Sequence, residues 1–98
     1  MKMLLVDYET EAICHITEDT QISVRPVWRK HEVLGLKIHP AQFMGWNLVA
    51  IQPDGETIVL EHYDDTETES GSKVGRKVRD EIEQAFARRD TIYKLPSN

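Results

Sequence analysis

Apolar and polar residues alternate along the first third of the chain, which predicts β-strands over residues 2–8, 11–17 and 21–28. Two residues link the first pair of strands, so we expect them to form a hairpin. In the third strand, alternation is expected to turn Ile22, Val24 and Trp28 inward and Arg25 outward. Because Pro26 cannot donate to a ladder, this strand is expected to lie at a sheet edge or to end in a bulge.

The middle of the chain carries weaker signals, which predict a loop, a short strand and a turn over residues 29–32, 33–39 and 41–45. Two further apolar-rich strands are predicted over residues 46–52 and 57–63. Between them, Pro53 is followed by Asp54 and Gly55, an order typical of a tight turn with glycine at positive φ. We therefore expect a second hairpin here.

Residues 72–89 have the periodicity of an amphipathic helix. The apolar stripe consists of Val74, Val78, Ile82, Ala85 and Phe86. Ser70 or Ser72 can cap the N-terminus, and residues 91–95 form an extended tail that can dock on the sheet. The sequence thus predicts an α+β fold, an antiparallel sheet of about five strands with one C-terminal amphipathic helix packed on it, in a single domain over residues 1–98.

Length and charge narrow the class of protein. A chain of 98 residues buries a small core, which favours a homo-oligomer. The net charge of −5 argues against a duplex-DNA binder, which needs a basic surface. The apolar start at residues 3–6 is too short for a signal peptide or a membrane-spanning helix, and Cys14 is the single cysteine. We expect a cytoplasmic protein without membrane contact.

The second half of the chain carries a pattern at residues 48–51, 54–60, 63–65, 74–87 and 90–96. It resembles a group of small phage and prophage proteins in which such a hairpin leads through an acidic loop into a helix and a Val-Tyr-x-Met-Pro-like tail. The chain departs from the group at Arg88 and Arg89, where a small residue or glycine is usual, and at residues 70–72. The resemblance implies this fold, a mobile-element origin and a host-cell cytoplasm, and it implies no mechanism.

A first basic group lies at the predicted start of the helix and consists of Lys73, Arg76 and Lys77. Free backbone N–H groups and these cations would together favour a bound anion. A nucleotide-binding phosphate loop has four residues between its two glycines and a lysine after the second. Here the glycines are closer together than that, and Arg76 stands in the place of the lysine. The alternative is that the acidic residues of the preceding loop neutralise the group: Asp64, Asp65, Glu67 and Glu69.

A second basic group surrounds Trp28 and consists of Arg25, Arg29, Lys30, His31, Lys37 and His39. Basic residues interleaved with an aromatic ring can stack a base and hold a phosphate. The alternative is a set of solvated cations around a core tryptophan. Phe43 and Trp46 likewise either form an exposed interaction surface or belong to the core.

The histidines are too scattered for a metal signature, and no cofactor is indicated. A metal site from His62, Asp64 and Asp65 and a catalytic acid at His31 or His39 are minor alternatives. Cys14 is expected in the core.

The preferred interpretation is a small binding protein that acts stoichiometrically on a host defence or transcription component, without catalysis. One alternative is an oligomer that sequesters a phosphorylated, nucleotide-like small molecule. Its expected ligand contacts are Arg25, Trp28, Arg29, Lys73, Arg76 and Lys77. A third interpretation is a small phosphodiesterase that uses His31 or His39.

Overall fold

The computed structural model describes residues 1–9, 11–29, 32–33, 36–37, 42–64 and 72–96, the two short pieces as backbone only. The strands are β1 (Met3–Val6), β2 (Ala12–Ile16), β3 (Gln21–Arg29), β4 (Glu32–Val33), β5 (Leu36–Lys37), β6 (Gln42–Ile51), β7 (Thr57–Tyr63) and β8 (Ile92–Lys94). The helix α1 spans Lys73–Ala87. The described part of the chain therefore has the predicted α+β class.

Six of the eight described strands form two three-stranded sheets and β4 pairs antiparallel with β5, so the expectation of one five-stranded sheet was wrong, as was that of a single strand over residues 33–39. The first sheet has the order β2-β1-β8, with β1 antiparallel to β2 and parallel to β8. Backbone hydrogen bonds flank the parallel pair, from Leu4 N to Thr91 O at 2.8 Å and from Leu95 N to Val6 O at 2.8 Å. The predicted tail thus docks as a third strand.

The second sheet has the order β3-β6-β7 and is antiparallel throughout. Its β6–β7 hairpin confirms the predicted turn, because Gly55 has φ +89° and its N–H donates to Gln52 O at 2.9 Å. In the described sheet β3 is an edge strand, and its register shifts between Pro26 and Trp28. Both predicted properties of the strand with proline are confirmed.

The helix begins at Ser72, whose buried hydroxyl accepts a hydrogen bond from Gly75 N at 2.9 Å. Its buried residues are Gly75, Val78, Ile82 and Ala85. Val74, predicted on the apolar stripe, is instead 49% exposed. Glycine takes the buried position because it lies against the Tyr63 ring, where a β-carbon would come within 3.2 Å of Cδ2.

The core lies between the helix and the two sheets. Its buried residues are Met3, Leu5, Ile16, Leu48, Ala50, Leu60, Tyr63, Val78, Ile82, Ala85 and Leu95. Cys14, expected in the core, is instead half-buried and packs against the core from outside the buried set. Within the described residues, no helix is long and apolar enough to cross a membrane.

The strands β3 and β6 continue beyond the core as a two-stranded ribbon. The third strand of their sheet ends at Tyr63, opposite Trp46, whereas the β3–β6 pairing runs on to Trp28–Phe43 and Arg29–Gln42. The predicted turn at residues 41–45 was therefore wrong for residues 42–45, which belong to β6. We call this ribbon, residues 26–29 with residues 42–46, the arm; the molecule measures 50 × 29 × 25 Å.

Candidate binding surfaces

One face of the arm carries a cluster of rings. The centroids of Trp28 and Phe43 are 5.2 Å apart, and those of Phe43 and Trp46 are 5.5 Å apart in an edge-to-face arrangement. Both separations lie in the range in which aromatic pairs attract each other. Together with Pro26, the three rings line an open cleft of about 310 Å³.

A bulge places these rings on the same face. Pro26 faces Trp46 and Trp28 faces Phe43. From one pair to the next, β3 therefore advances two positions whereas β6 advances three. The extra residue in β6 allows Phe43 and Trp46 to lie on one face although they are three positions apart, a spacing that puts residues of a regular strand on opposite faces. Gly45, inside this interval, has φ +105°, a backbone conformation that glycine adopts without steric cost.

Trp28 is on the expected face of β3 and yet is 56% exposed, so the expectation of an inward-facing core tryptophan was wrong. Alternation puts it on the same face as Ile22 and Val24, which pack against the core. The helix covers that face only as far as Tyr63, against which its first turn packs. Trp28 lies farther along the arm and therefore remains in solvent.

The indole Nε1 of Trp46 is buried and has no hydrogen-bond partner among the described residues. A buried donor left without an acceptor costs about 1–3 kcal/mol. The half-buried ring of Trp46 therefore contributes packing to the aromatic cluster at an energetic cost. An unsatisfied buried donor of this kind is uncommon in native proteins.

The predicted basic residues of the arm lie on its other face. Arg25 and Arg29 are exposed and alternate with Pro26 and Trp28 along β3. Arg25 stands opposite Asn47 across the sheet. The structure thus places these cations on the same edge strand as Trp28 but on the opposite face of that strand.

The basic residues at the start of the helix form a separate surface. Lys73, Arg76 and Lys77 line a shallow depression of about 410 Å³ that also contains Asp80 and Glu81. Ser72 already engages two backbone N–H groups of the first turn, those of Gly75 and Arg76. No described contact joins this surface to Arg25, Trp28 or Arg29.

His62 is held on both ring nitrogens. Its Nδ1 lies 2.7 Å from Asn47 Oδ1, and its Nε2 lies 3.0 Å from Asp64 Oδ1. Among the described residues, no group of three His, Cys, Asp or Glu side chains could hold a metal ion. Lys30, His31, His39 and Asp65 lie outside the described residues, as does the side chain of Lys37, so the phosphodiesterase interpretation stays a prediction.

Sequence reasoning offered Phe43 and Trp46 together as one possible interaction surface and missed that Trp28 and Pro26 join them. The available signal was the crowding of rings at positions 28, 43 and 46 around a glycine, in a segment that otherwise resembled a turn. Comparison with protein-family models, curated proteins and solved structures finds no match to this chain.

Proposed function

We propose that this chain is a small binding protein that acts by occupying a partner protein stoichiometrically, and that the aromatic face of the arm makes the contact. The observation that supports this proposal is the exposure of Trp28 beside Phe43 and Trp46. Tryptophan is among the residues that most often contribute the binding energy of protein interfaces. Contiguous exposed apolar surface of the kind that these rings form with Pro26 is typical of an interaction site.

The energetic scale is adequate for a specific contact. A tryptophan buries about 150–250 Å² when it is fully covered, so covering the exposed part of Trp28 contributes about 2–3 kcal/mol. Phe43 and Pro26 add further apolar area around it. Because β3 and β6 already hold the rings in place, little conformational entropy is lost on binding.

The chemistry of the arm indicates what the partner presents. An apolar recess would receive the Trp28 ring, and acidic groups that extend around the edge strand would attract Arg25 and Arg29 on its opposite face. The resemblance to small phage and prophage proteins supports a host defence or transcription protein as this partner. The proposed activity is occupation of that protein's surface, with no bond made or broken.

The test compares two variants that remove side chains of equal exposure. Trp28→Ala removes a residue that is 56% exposed on the arm, and Ile92→Ala removes one that is 57% exposed on β8. A protein captured from host lysate would be purified and titrated with each variant by calorimetry. We expect a fixed stoichiometry, with affinity reduced more than about tenfold by Trp28→Ala and unchanged by Ile92→Ala. Equal affinities for both variants would refute the proposal.

A second candidate is sequestration of a phosphorylated ring compound, which the aromatic lining of the 310 Å³ cleft favours. A base would stack on Trp28 while cations hold its phosphate. Trp46→Phe leaves Trp28 as the single tryptophan, so quenching of its fluorescence by a nucleoside monophosphate reports stacking directly. No described contact joins the basic helix start to Trp28, so joint replacement of Arg76 and Lys77 by alanine tests whether both act on one ligand. Loss of quenching would place both in the site, and quenching that survives would exclude the helix start from it.

A further inference from the structure

A second cleft lies at the opposite end of β3 from the arm, beside the last turns of the helix. It measures about 490 Å³ and has an apolar floor formed by Ile16, Ile22, Ile82 and Phe86. Its rim is acidic and includes Glu18, Asp19 and Glu83. We call it the acidic cleft.

Two of the three rim charges, those of Asp19 and Glu83, are available for a cationic partner. Glu18 already accepts a hydrogen bond from the Met1 ammonium at 2.9 Å, which lowers the pKa of the Glu18 carboxyl. Asp19 and Glu83 are exposed and make no ion pair with any described residue. The C-terminal end of the helix dipole adds partial negative charge nearby.

The rim is also held in place before any partner arrives. In the turn between β2 and β3, Thr17 N donates to Thr20 Oγ1 at 3.1 Å. The Thr20 hydroxyl donates to Gln52 Oε1 at 2.8 Å, and Gln52 Nε2 donates to His15 O at 3.0 Å. This bridge fixes the turn against the second sheet, so the cleft binds without first ordering its wall.

We propose that the acidic cleft receives the arm of a second copy of this chain. The arm carries on its two faces what the cleft lacks: the Trp28 ring for the apolar floor and, on the opposite face of the same edge strand, the exposed cations Arg25 and Arg29 for the acidic rim. The two surfaces are complementary in charge and in polarity, which favours their association. This inference rests on the proposed function, because both use the aromatic face of the arm.

The contact can form only between copies. Ile22 in the cleft and Trp28 on the arm belong to the same strand. They are therefore about 20 Å apart at the rise of a β-strand, and a continuous strand cannot fold back to join them. Since the two surfaces differ, the contact is heterologous, and copies associate through unlike surfaces. Self-association then hides the arm, and a partner protein competes for it.

The test separates the two halves of the contact. Trp28→Ala removes the arm's ring and leaves the cleft intact, whereas Glu83→Lys reverses a rim charge and leaves the arm intact. Glu11→Lys, an equal charge change at an exposed residue outside the cleft, is the matched control. Sedimentation velocity over a range of concentrations measures the mass of the wild type and of each full-length variant.

We expect the mass of the wild type and of Glu11→Lys to rise with concentration, and self-association to weaken more than about tenfold in the other two variants. An equimolar mixture of Trp28→Ala and Glu83→Lys should recover a complex, because one retains the cleft and the other the arm. High salt should weaken it. A wild type that stays monomeric, variants that still assemble, or a mixture that forms no complex would overturn the inference.

The same variants distinguish failure of this inference from failure of the proposed function. Glu83→Lys keeps the arm, so it should still bind the partner protein as the wild type does. If Trp28→Ala weakens partner binding but the wild type does not self-associate, the inference fails and the proposed function stands. If self-association needs both surfaces but Trp28→Ala leaves partner binding unchanged, the proposed function fails and self-association stands.

Discussion

The backbone of Tyr63 occupies the place where a side chain at Gly45 would stand. A β-carbon built on Gly45 meets the Tyr63 carbonyl oxygen and comes within 3.2 Å of the Asp64 α-carbon. Gly45 also has a positive φ of +105°. Two independent requirements, a left-handed backbone and a close approach by β7, therefore select glycine here. This glycine lies within the bulge that brings Phe43 and Trp46 to one face of the arm.

Gly45→Ala is expected to destabilise the protein more than Gly55→Ala does. At Gly55, φ is +89° and no atom lies within 4 Å of the added β-carbon, so only the backbone conformation opposes alanine, at about 1–2 kcal/mol. At Gly45 the collision with rigid backbone adds to that, and we expect a total above about 2 kcal/mol. Urea unfolding of the two variants measures the difference. Equal losses of unfolding free energy would mean that β7 yields easily.

Gly45 also explains why the arm was predicted as a turn. A glycine at positive φ and a broken alternation are the ordinary signals of a turn, and a bulge inside a long strand produces both. The β6–β7 hairpin was predictable because Gly55 and its neighbours fix the turn locally. The parallel pairing of β8 with β1 was not, because three residues far from their partners carry no local signal of it.

The site was predictable in its residue types and not in its geometry. Trp28 follows Ile22 and Val24 on one face of β3 like a core residue, and its exposure depends on where the helix begins relative to Tyr63. That relationship belongs to the packing of distant elements and leaves no trace in a window of sequence. The separation of the two basic groups has the same origin, since one lies on the arm and the other on the helix.

Tyr93 and Glu81 connect β8 to the helix, and we expect Tyr93→Phe to lower the free energy of unfolding by about 1 kcal/mol at neutral pH. The Tyr93 hydroxyl donates to Glu81 Oε2 at 2.8 Å. Burial of the phenol, followed by that hydrogen bond, raises the pKa of Tyr93 well above its usual value. Unfolding titrations of wild type and variant at several pH values measure the loss.

The pH dependence of this pair has a definite sign. Because the pKa of Tyr93 is higher in the folded chain, its contribution is complete below the unfolded value of about 10 and is lost as the pH rises above it. The wild type should therefore lose more stability than Tyr93→Phe between about pH 9 and pH 11. Glu81→Gln keeps an acceptor and removes the charge, so it should show an intermediate loss. Parallel curves for wild type and Tyr93→Phe would contradict the assignment.

The Cys14 thiol is expected to react slowly. Burial, and then the Glu56 carboxylate, raise the pKa of this thiol, so less thiolate is present at pH 8 than in the unfolded chain. A disulfide reagent should label the folded protein more than about tenfold more slowly than the protein in denaturant. Glu56→Gln should increase the folded rate about twofold, whereas Asp54→Asn in the same turn should not. Equal rates in the two variants would exclude the charge as a cause.

Arg89→Gly is expected to stabilise the protein, because the helix ends with an arginine in a glycine position. Arg89 has φ +64°, the left-handed conformation that costs a residue with a side chain about 1–2 kcal/mol. Its N–H donates to Phe86 O at 3.0 Å, and Asp90 N donates to Ala85 O at 3.0 Å. These two bonds form the C-terminal motif that usually places glycine at this position.

Part of the gain is offset, since glycine loses more backbone freedom on folding, by about 0.5–1 kcal/mol. We therefore expect a net increase of about 0.5–1 kcal/mol in the free energy of unfolding, or a few degrees in Tm. Arg88→Gly is the matched control, because Arg88 has φ −75° and a right-handed conformation that gives glycine no advantage. It should lower stability. Thermal unfolding of both variants measures the change in Tm. If Tm falls in Arg89→Gly as well as in Arg88→Gly, contacts of the Arg89 side chain stabilise the protein by more than its left-handed backbone destabilises it.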